Sequence, residues 1–153
     1  MLKPGSKAPD FQLPNEAGEL VSLDPLLEKS DLILYFYPAD FTPVCTAEAC
    51  AFRDSYQDLF DAGIQIVGIS PQSADSHQRF SSAHSLPFPL LCDEDKTVIK
   101  AYGVDGPLGF GVRRASFFIE QNKLIRNRVL SDLFVSKHMD LVRLVLDESE
   151  HVV

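Results

Sequence analysis

After its first residue, the run Asp31-Leu32-Ile33-Leu34-Tyr35-Phe36-Tyr37 contains no strongly polar position. A short segment that is apolar without alternation predicts a strand buried on both faces, in the middle of a sheet covered by helices. Ile64 to Ser70 predicts a second such strand. Between them, from Pro43 to about Asp61, the apolar positions Ala49, Phe52, Tyr56, Leu59 and Phe60 recur at helical spacing, and Gly63 supplies a stop. Near the start, Phe11-Gln12-Leu13 and Leu20 to Leu23 flank Asn15-Glu16-Ala17-Gly18 and predict a hairpin. Further on, the pattern predicts a helix over Ala74 to His84, a short strand over Phe88 to Leu91 and a helix over Lys96 to Tyr102. Ala115 to Glu120 and Leu124 to Leu130, joined by Gln121-Asn122-Lys123, predict an antiparallel hairpin. A last helix, Ser136 to about Asp147, is expected to turn Met139, Val142 and Leu146 inward. Strand, helix, strand, helix, hairpin, helix implies a three-layer α/β fold with a mixed central sheet, here as one domain spanning residues 1–153 without repeats or linkers.

Composition narrows the class. With 153 residues, 45% of them hydrophobic, the chain is long enough to bury a core without disulfides. Three cysteines and no export signal behind Lys3 and Lys7 point to a reducing, cytoplasmic setting. The longest apolar stretch falls far short of the roughly 20 residues of a membrane span, so no membrane partner is expected. A formal net charge of -8, with Arg113-Arg114 and Arg126 with Arg128 as the densest basic positions, argues against nucleic-acid binding.

The chemistry gathers at Cys45. In Pro38-Ala39-Asp40-Phe41-Thr42-Pro43-Val44-Cys45, Thr42 reads as an N-cap and Pro43 as the first helical residue. Cys45 then lies in the first turn, where unpaired backbone N–H groups and the positive end of the helix dipole favour thiolate, the reactive form. Attack on a hydroperoxide needs a donor beside the sulfur, and Thr42, one turn earlier, brings a hydroxyl to that side. The product is a sulfenic acid, which over-oxidises unless a second thiol traps it. Cys50 is the candidate for that resolving role. In an intact helix, residues five apart have Cα atoms about 8.6 Å apart, beyond the roughly 4.4 to 6.8 Å a disulfide tolerates. A Cys45–Cys50 bond therefore requires the first turns of the helix to unwind.

Pro38-x-x-x-Thr42-x-x-Cys45 resembles the active-site motif of peroxiredoxins, and Cys45-Thr46-x-Glu48-x-Cys50 is similar to their bacterioferritin comigratory protein or Q-type branch. Pro9-Asp10-Phe11, Phe88-Pro89-Leu90-Leu91 and Arg114-x-Ser116-Phe117 extend the likeness over most of the chain. The resemblance implies a thioredoxin-like fold with an N-terminal β-hairpin extension. It implies reduction of hydrogen peroxide and organic hydroperoxides, recycling by thioredoxin or a similar dithiol reductant, and no cofactor or metal. It also implies a guanidinium beside the peroxidatic sulfur. Adjacent strand residues point to opposite faces, so Arg113 and Arg114 cannot both serve, and the Arg-x-Ser-Phe pattern selects Arg114. Pro38, Pro43, Val44 and Glu48 are expected to support the site.

Other readings stay open. Some members of the branch carry the resolving cysteine in the next helix, where this chain has Ser81, Ser82 and Ala83. Cys92 is an extra thiol that either competes as resolver, joins two chains or is a small buried residue, and monomer and homodimer fit equally. A disulfide exchanger would carry Cys-x-x-Cys, which is missing, and a redox sensor would use the unwound helix to bind a partner. His77, His84, His138 and His151 are scattered without metal-ligand spacing. Asp93-Glu94-Asp95-Lys96 reads as a helix cap, not a calcium loop, and Gly103 to Gly111 as a loop beside the site.

Overall fold

The computed structural model describes residues 1–150, except the side chain of residue 150; His151 lies outside the described residues. A five-stranded sheet forms the middle layer. In chain order its strands are β3 (Asp31–Phe36), β4 (Ile64–Ser70), β5 (Leu90–Cys92), β6 (Ala115–Ile119) and β7 (Ile125–Leu130), and their spatial order is β5-β4-β3-β6-β7. β3, β4 and β5 run parallel, while β6 and β7 are antiparallel additions on the other side of β3. The mixed sheet and the separate N-terminal hairpin, β1 (Gln12–Pro14) with β2 (Leu20–Ser22), match the expected architecture.

The unalternating run of β3 serves two cores. Leu32, Leu34 and Phe36 pack on one face with α1 (Leu23–Lys29) and α4 (Thr97–Ala101), through Leu23, Leu27, Val98 and Ile99. Ile33 and Tyr35, followed by Tyr37, pack on the other with α2 (Pro43–Asp61), α3 (Ala74–His84) and α5 (Val135–Glu150). Tyr35 stacks on Phe52 of α2 at 4.6 Å between ring centroids. Across β4, Gly68 makes room for it, since a Cβ there would meet the Tyr35 ring at 2.9 Å.

Several details depart from the sequence pattern. α1 is absent from the periodicity reading because it is only seven residues long and contains Pro25; Leu23 and Leu27, one turn apart, form it by docking on the sheet. The short strand lies over Leu90–Cys92, two residues late, because Pro87 and Pro89 interrupt the preceding run. Phe60 is 62% exposed and takes no part in the buried face of α2. In α5 the fully buried positions are His138, Leu141, Val142 and Val145, with Met139 and Leu146 at the margin. Asp93 and Asp95 cap α4: the Asp93 carboxylate accepts the Ile99 and Val98 N–H groups at 2.7 and 3.3 Å, and Asp95 that of Thr97 at 3.0 Å. Among the described residues, no helix is long and apolar enough to cross a membrane, and no three His, Cys, Asp or Glu side chains gather as metal ligands.

Candidate active site

β3 ends beneath a six-residue loop, residues 37–42, that turns the chain into α2. Tyr37 N–H still pairs with the Ile69 carbonyl, and Ser70 Oγ reaches the Pro38 carbonyl at 3.4 Å. Asp40 then points inward, buried, and Phe41 takes a left-handed φ of 63°, which reverses the chain before Thr42. Thr42 occupies the N-cap position with Pro43 in the first turn. Its hydroxyl does not cap the helix; it donates to the Ala39 carbonyl at 3.2 Å, inside the loop. That leaves the oxygen lone pairs as acceptors on an exposed residue.

Cys45 sits one turn in and is buried, 1% exposed. Arg114 Nη1 donates to Cys45 Sγ at 3.2 Å and to Glu48 Oε1 at 3.0 Å. Because a guanidinium has donors only, sulfur is the acceptor in this contact. The arginine is itself anchored: its Nε donates to the Asp132 carbonyl at 3.2 Å and its backbone N–H to Asp132 Oδ1 at 3.0 Å. Burial opposes the Arg114 charge, but Glu48 and Cys45 outweigh it and hold the guanidinium protonated. Arg113 turns the other way and pairs with Asp132 at 2.8 Å at the surface.

Glu48 is wholly buried, and burial pushes its carboxyl up to about 7 against the pull of Arg114. Its Oε2 lacks a hydrogen bond, as does the buried Tyr35 hydroxyl. His138 Nε2 lies 3.6 Å from that oxygen. Burial pushes the His138 imidazole down, so Nε2–H donates to the Ser131 carbonyl at 3.0 Å and Nδ1 accepts from Ser116 Oγ at 2.7 Å.

The AhpC/TSA family matches residues 4–128. The chain is a member of the AhpC/TSA family. It is 45% identical over 130 residues to the putative peroxiredoxin bcp of Coxiella burnetii, covering 81% of this chain and 85% of the relative. Its fold superposes on the peroxidoxin BcpB of Mycobacterium tuberculosis with a TM-score of 0.90 and 31% identity, covering 100% of this chain and 99% of the other. The bacterioferritin comigratory protein of Xanthomonas campestris, solved in work on its alkyl peroxide reduction activity, aligns at a TM-score of 0.82 and 28% identity, covering 90% of each chain. The chain is thus a thiol-dependent peroxidase with a thioredoxin-like fold, of the bacterioferritin comigratory protein or Q-type branch.

In this peroxiredoxin Pro43, Val44, Cys45, Glu48 and Cys50 all belong to α2, and the fold brings Arg114, 69 residues away, onto the sulfur. Cys50 stays apart from Cys45: both thiols are free in one continuous helix, and Cys50 faces α3, where its sulfur lies 3.8 Å from His84 Nδ1. Asp40 and Asp132 were given no role from the sequence, and His77 and His138 were read only as scattered histidines without metal-ligand spacing. Asp40 lies inside the Pro38 to Cys45 motif and carried that much signal, whereas Asp132 and the two histidines join the site only through tertiary packing.

Proposed function

We propose that this peroxidase acts on hydrogen peroxide and organic hydroperoxides through Cys45, resolves the product as a Cys45–Cys50 disulfide, and is recycled by thioredoxin or a similar dithiol protein. The carrying observation is the 3.2 Å contact from Arg114 Nη1 to Cys45 Sγ at the first turn of α2. The Cys45 thiolate attacks the near oxygen of the peroxide; the S–O bond forms as the O–O bond breaks, and the departing hydroxide or alkoxide leaves as water or alcohol after taking a proton. Arg114 and the first-turn backbone N–H groups stabilise charge on the oxygens, and Thr42 orients the peroxide at the helix mouth. Pro38 and Pro43 shape the loop and first turn, Val44 flanks the sulfur, and Glu48 holds Arg114 in place.

Cys50 then attacks the sulfenic sulfur, expelling hydroxide as water and joining the two sulfurs. The alkyl peroxide activity named for the Xanthomonas relative supports the substrate class. Three free thiols suit a cytoplasmic setting with a dithiol reductant, and the 153 residues work as one catalytic domain, as monomer or homodimer.

The test couples peroxide consumption to a thioredoxin system. Cys45→Ser is expected to abolish turnover, and Cys50→Ser to allow one oxidation and then stall. Peroxide is expected to remove about two turns of helix from the wild type by circular dichroism, since closing the disulfide needs residues 43–50 to unwind. Sustained thioredoxin-linked turnover by Cys50→Ser, or an oxidised protein whose α2 is unchanged, overturns the Cys50 assignment.

A further inference from the structure

Cys50 is not held like an inert helix thiol. Its sulfur lies 3.8 Å from Nδ1 of His84 in the last turn of α3, within reach of an S–H···N hydrogen bond. His84 is held once at its ring and once at its backbone. Its ring packs edge-on against the buried Phe80 at 5.1 Å, and Phe80 in turn meets Phe41 at the helix mouth at 5.2 Å. The His84 carbonyl accepts a hydrogen bond from Arg53 Nη1 of α2 at 2.8 Å, which ties the end of α3 to the turn after Cys50. His84 is half-buried, open enough to exchange a proton with water. It also lies outside the segment that must unwind, so it keeps its place when Cys50 leaves.

We infer that His84 is the base of the resolving step, taking the proton from Cys50 so that its thiolate attacks the Cys45 sulfenic acid. This rests on Cys50 as the resolving thiol. The Cys50 proton passes to Nδ1, with Nε2 carrying the ring's other hydrogen. The Cys50 thiolate attacks the Cys45 sulfur; the S–S bond forms as the S–OH bond breaks, and the departing hydroxide is protonated to water at the expense of the imidazolium. Cys50 is oxidised and the sulfenic sulfur reduced to the common disulfide level, so no outside oxidant or reductant enters.

The experiment follows disulfide closure after one equivalent of hydrogen peroxide, by acid quench and mass mapping of the Cys45–Cys50 peptide, in wild type, His84→Gln and His84→Ala. Both variants are expected to form the Cys45 sulfenic acid as fast as wild type and to close the disulfide about a hundredfold more slowly, in the range of general base catalysis. Added imidazole is expected to restore closure in His84→Ala, which separates a proton acceptor from a packing residue. Closure at the wild-type rate in either variant, or slowed closure that imidazole leaves unchanged, overturns the assignment of His84 while leaving Cys50 as resolver intact. Wild-type protein that never yields a Cys45–Cys50 peptide overturns both.

Discussion

Arg114 divides one guanidinium group between a sulfur and a carboxylate, and its neighbour Arg113 shares only the Asp132 contact. Removing Arg114 takes a buried donor from the reacting atom, a loss expected to slow Cys45 oxidation at least about a hundredfold. Arg113 belongs to a half-exposed ion pair worth less than about 1 kcal/mol, so Arg113→Ala is expected to stay within about threefold of wild type. Stopped-flow rates with hydrogen peroxide decide this, and equal losses in the two variants would contradict the division of labour. Glu48, on the other side of that guanidinium, ties the site to stability. Its carboxyl titrates near 4.5 when unfolded, and burial raises it to about 7 in the fold. Between those values the folded chain holds the extra proton, so the associated stability is full below about 4.5 and is lost as pH rises through about 7. Glu48→Gln, neutral throughout, is expected to gain roughly 3 kcal/mol relative to wild type across that window. Urea unfolding at pH 5 and pH 8 measures it, and parallel pH dependence in both proteins rules it out.

The loop between β3 and α2 is short, bends through the left-handed Phe41, and must hold the helix mouth still. Its anchor is Asp40, which accepts hydrogen bonds at 2.7 Å from Tyr37 Oη, Ser76 Oγ and His77 Nδ1. His77 extends the tie through Nε2 to the Leu91 carbonyl at 3.0 Å, so loop, α3 and β5 are joined by one buried network. Burial works against the Asp40 charge, but the bonds and charge from His77 and the donors from Tyr37 and Ser76 outweigh it and hold the carboxyl below its usual range. The stability it confers is therefore present at neutral pH and lost as pH falls through that lowered value. Asp40→Ala leaves His77 and Tyr37 buried without their partner, and about 3–5 kcal/mol of stability is expected to go with it. Chemical unfolding at pH 7 gives the number, and a change below about 1 kcal/mol would mean that the network contributes little.

At the scale of the whole molecule, local pattern carried the reading a long way. The helix from Pro43 to Asp61 and the strand from Ile64 to Ser70 were legible because a cap, a proline, a glycine stop and an apolar period all agreed there. So were Cys45 and Cys50, since one short motif holds both. Arg114 became legible through its own motif, but its hold on Glu48 was not, because burial of a glutamate in a helix leaves no mark on spacing. The pairings of Asp40 with His77 and Cys50 with His84, and the approach of His138 to Glu48, bring together residues 34 to 90 positions apart, and only the packed layers do so. Cys92 is the clearest case of a residue whose role depends on its place in the fold. It ends β5, only 4% exposed, with its sulfur 3.9 Å from the Asn15 carbonyl. Burial pushes its thiol up to about 11, helped by the charges of Glu94, Asp40 and Glu16, which disfavours the nucleophilic thiolate. Cys92→Ser is therefore expected to retain thioredoxin-linked turnover within about twofold and to give the same Cys45–Cys50 peptide on oxidation. Because serine differs from cysteine by one atom and keeps a donor toward Asn15, lost turnover could not be laid to a large cavity or a lost donor, and it would make Cys92 the resolving thiol.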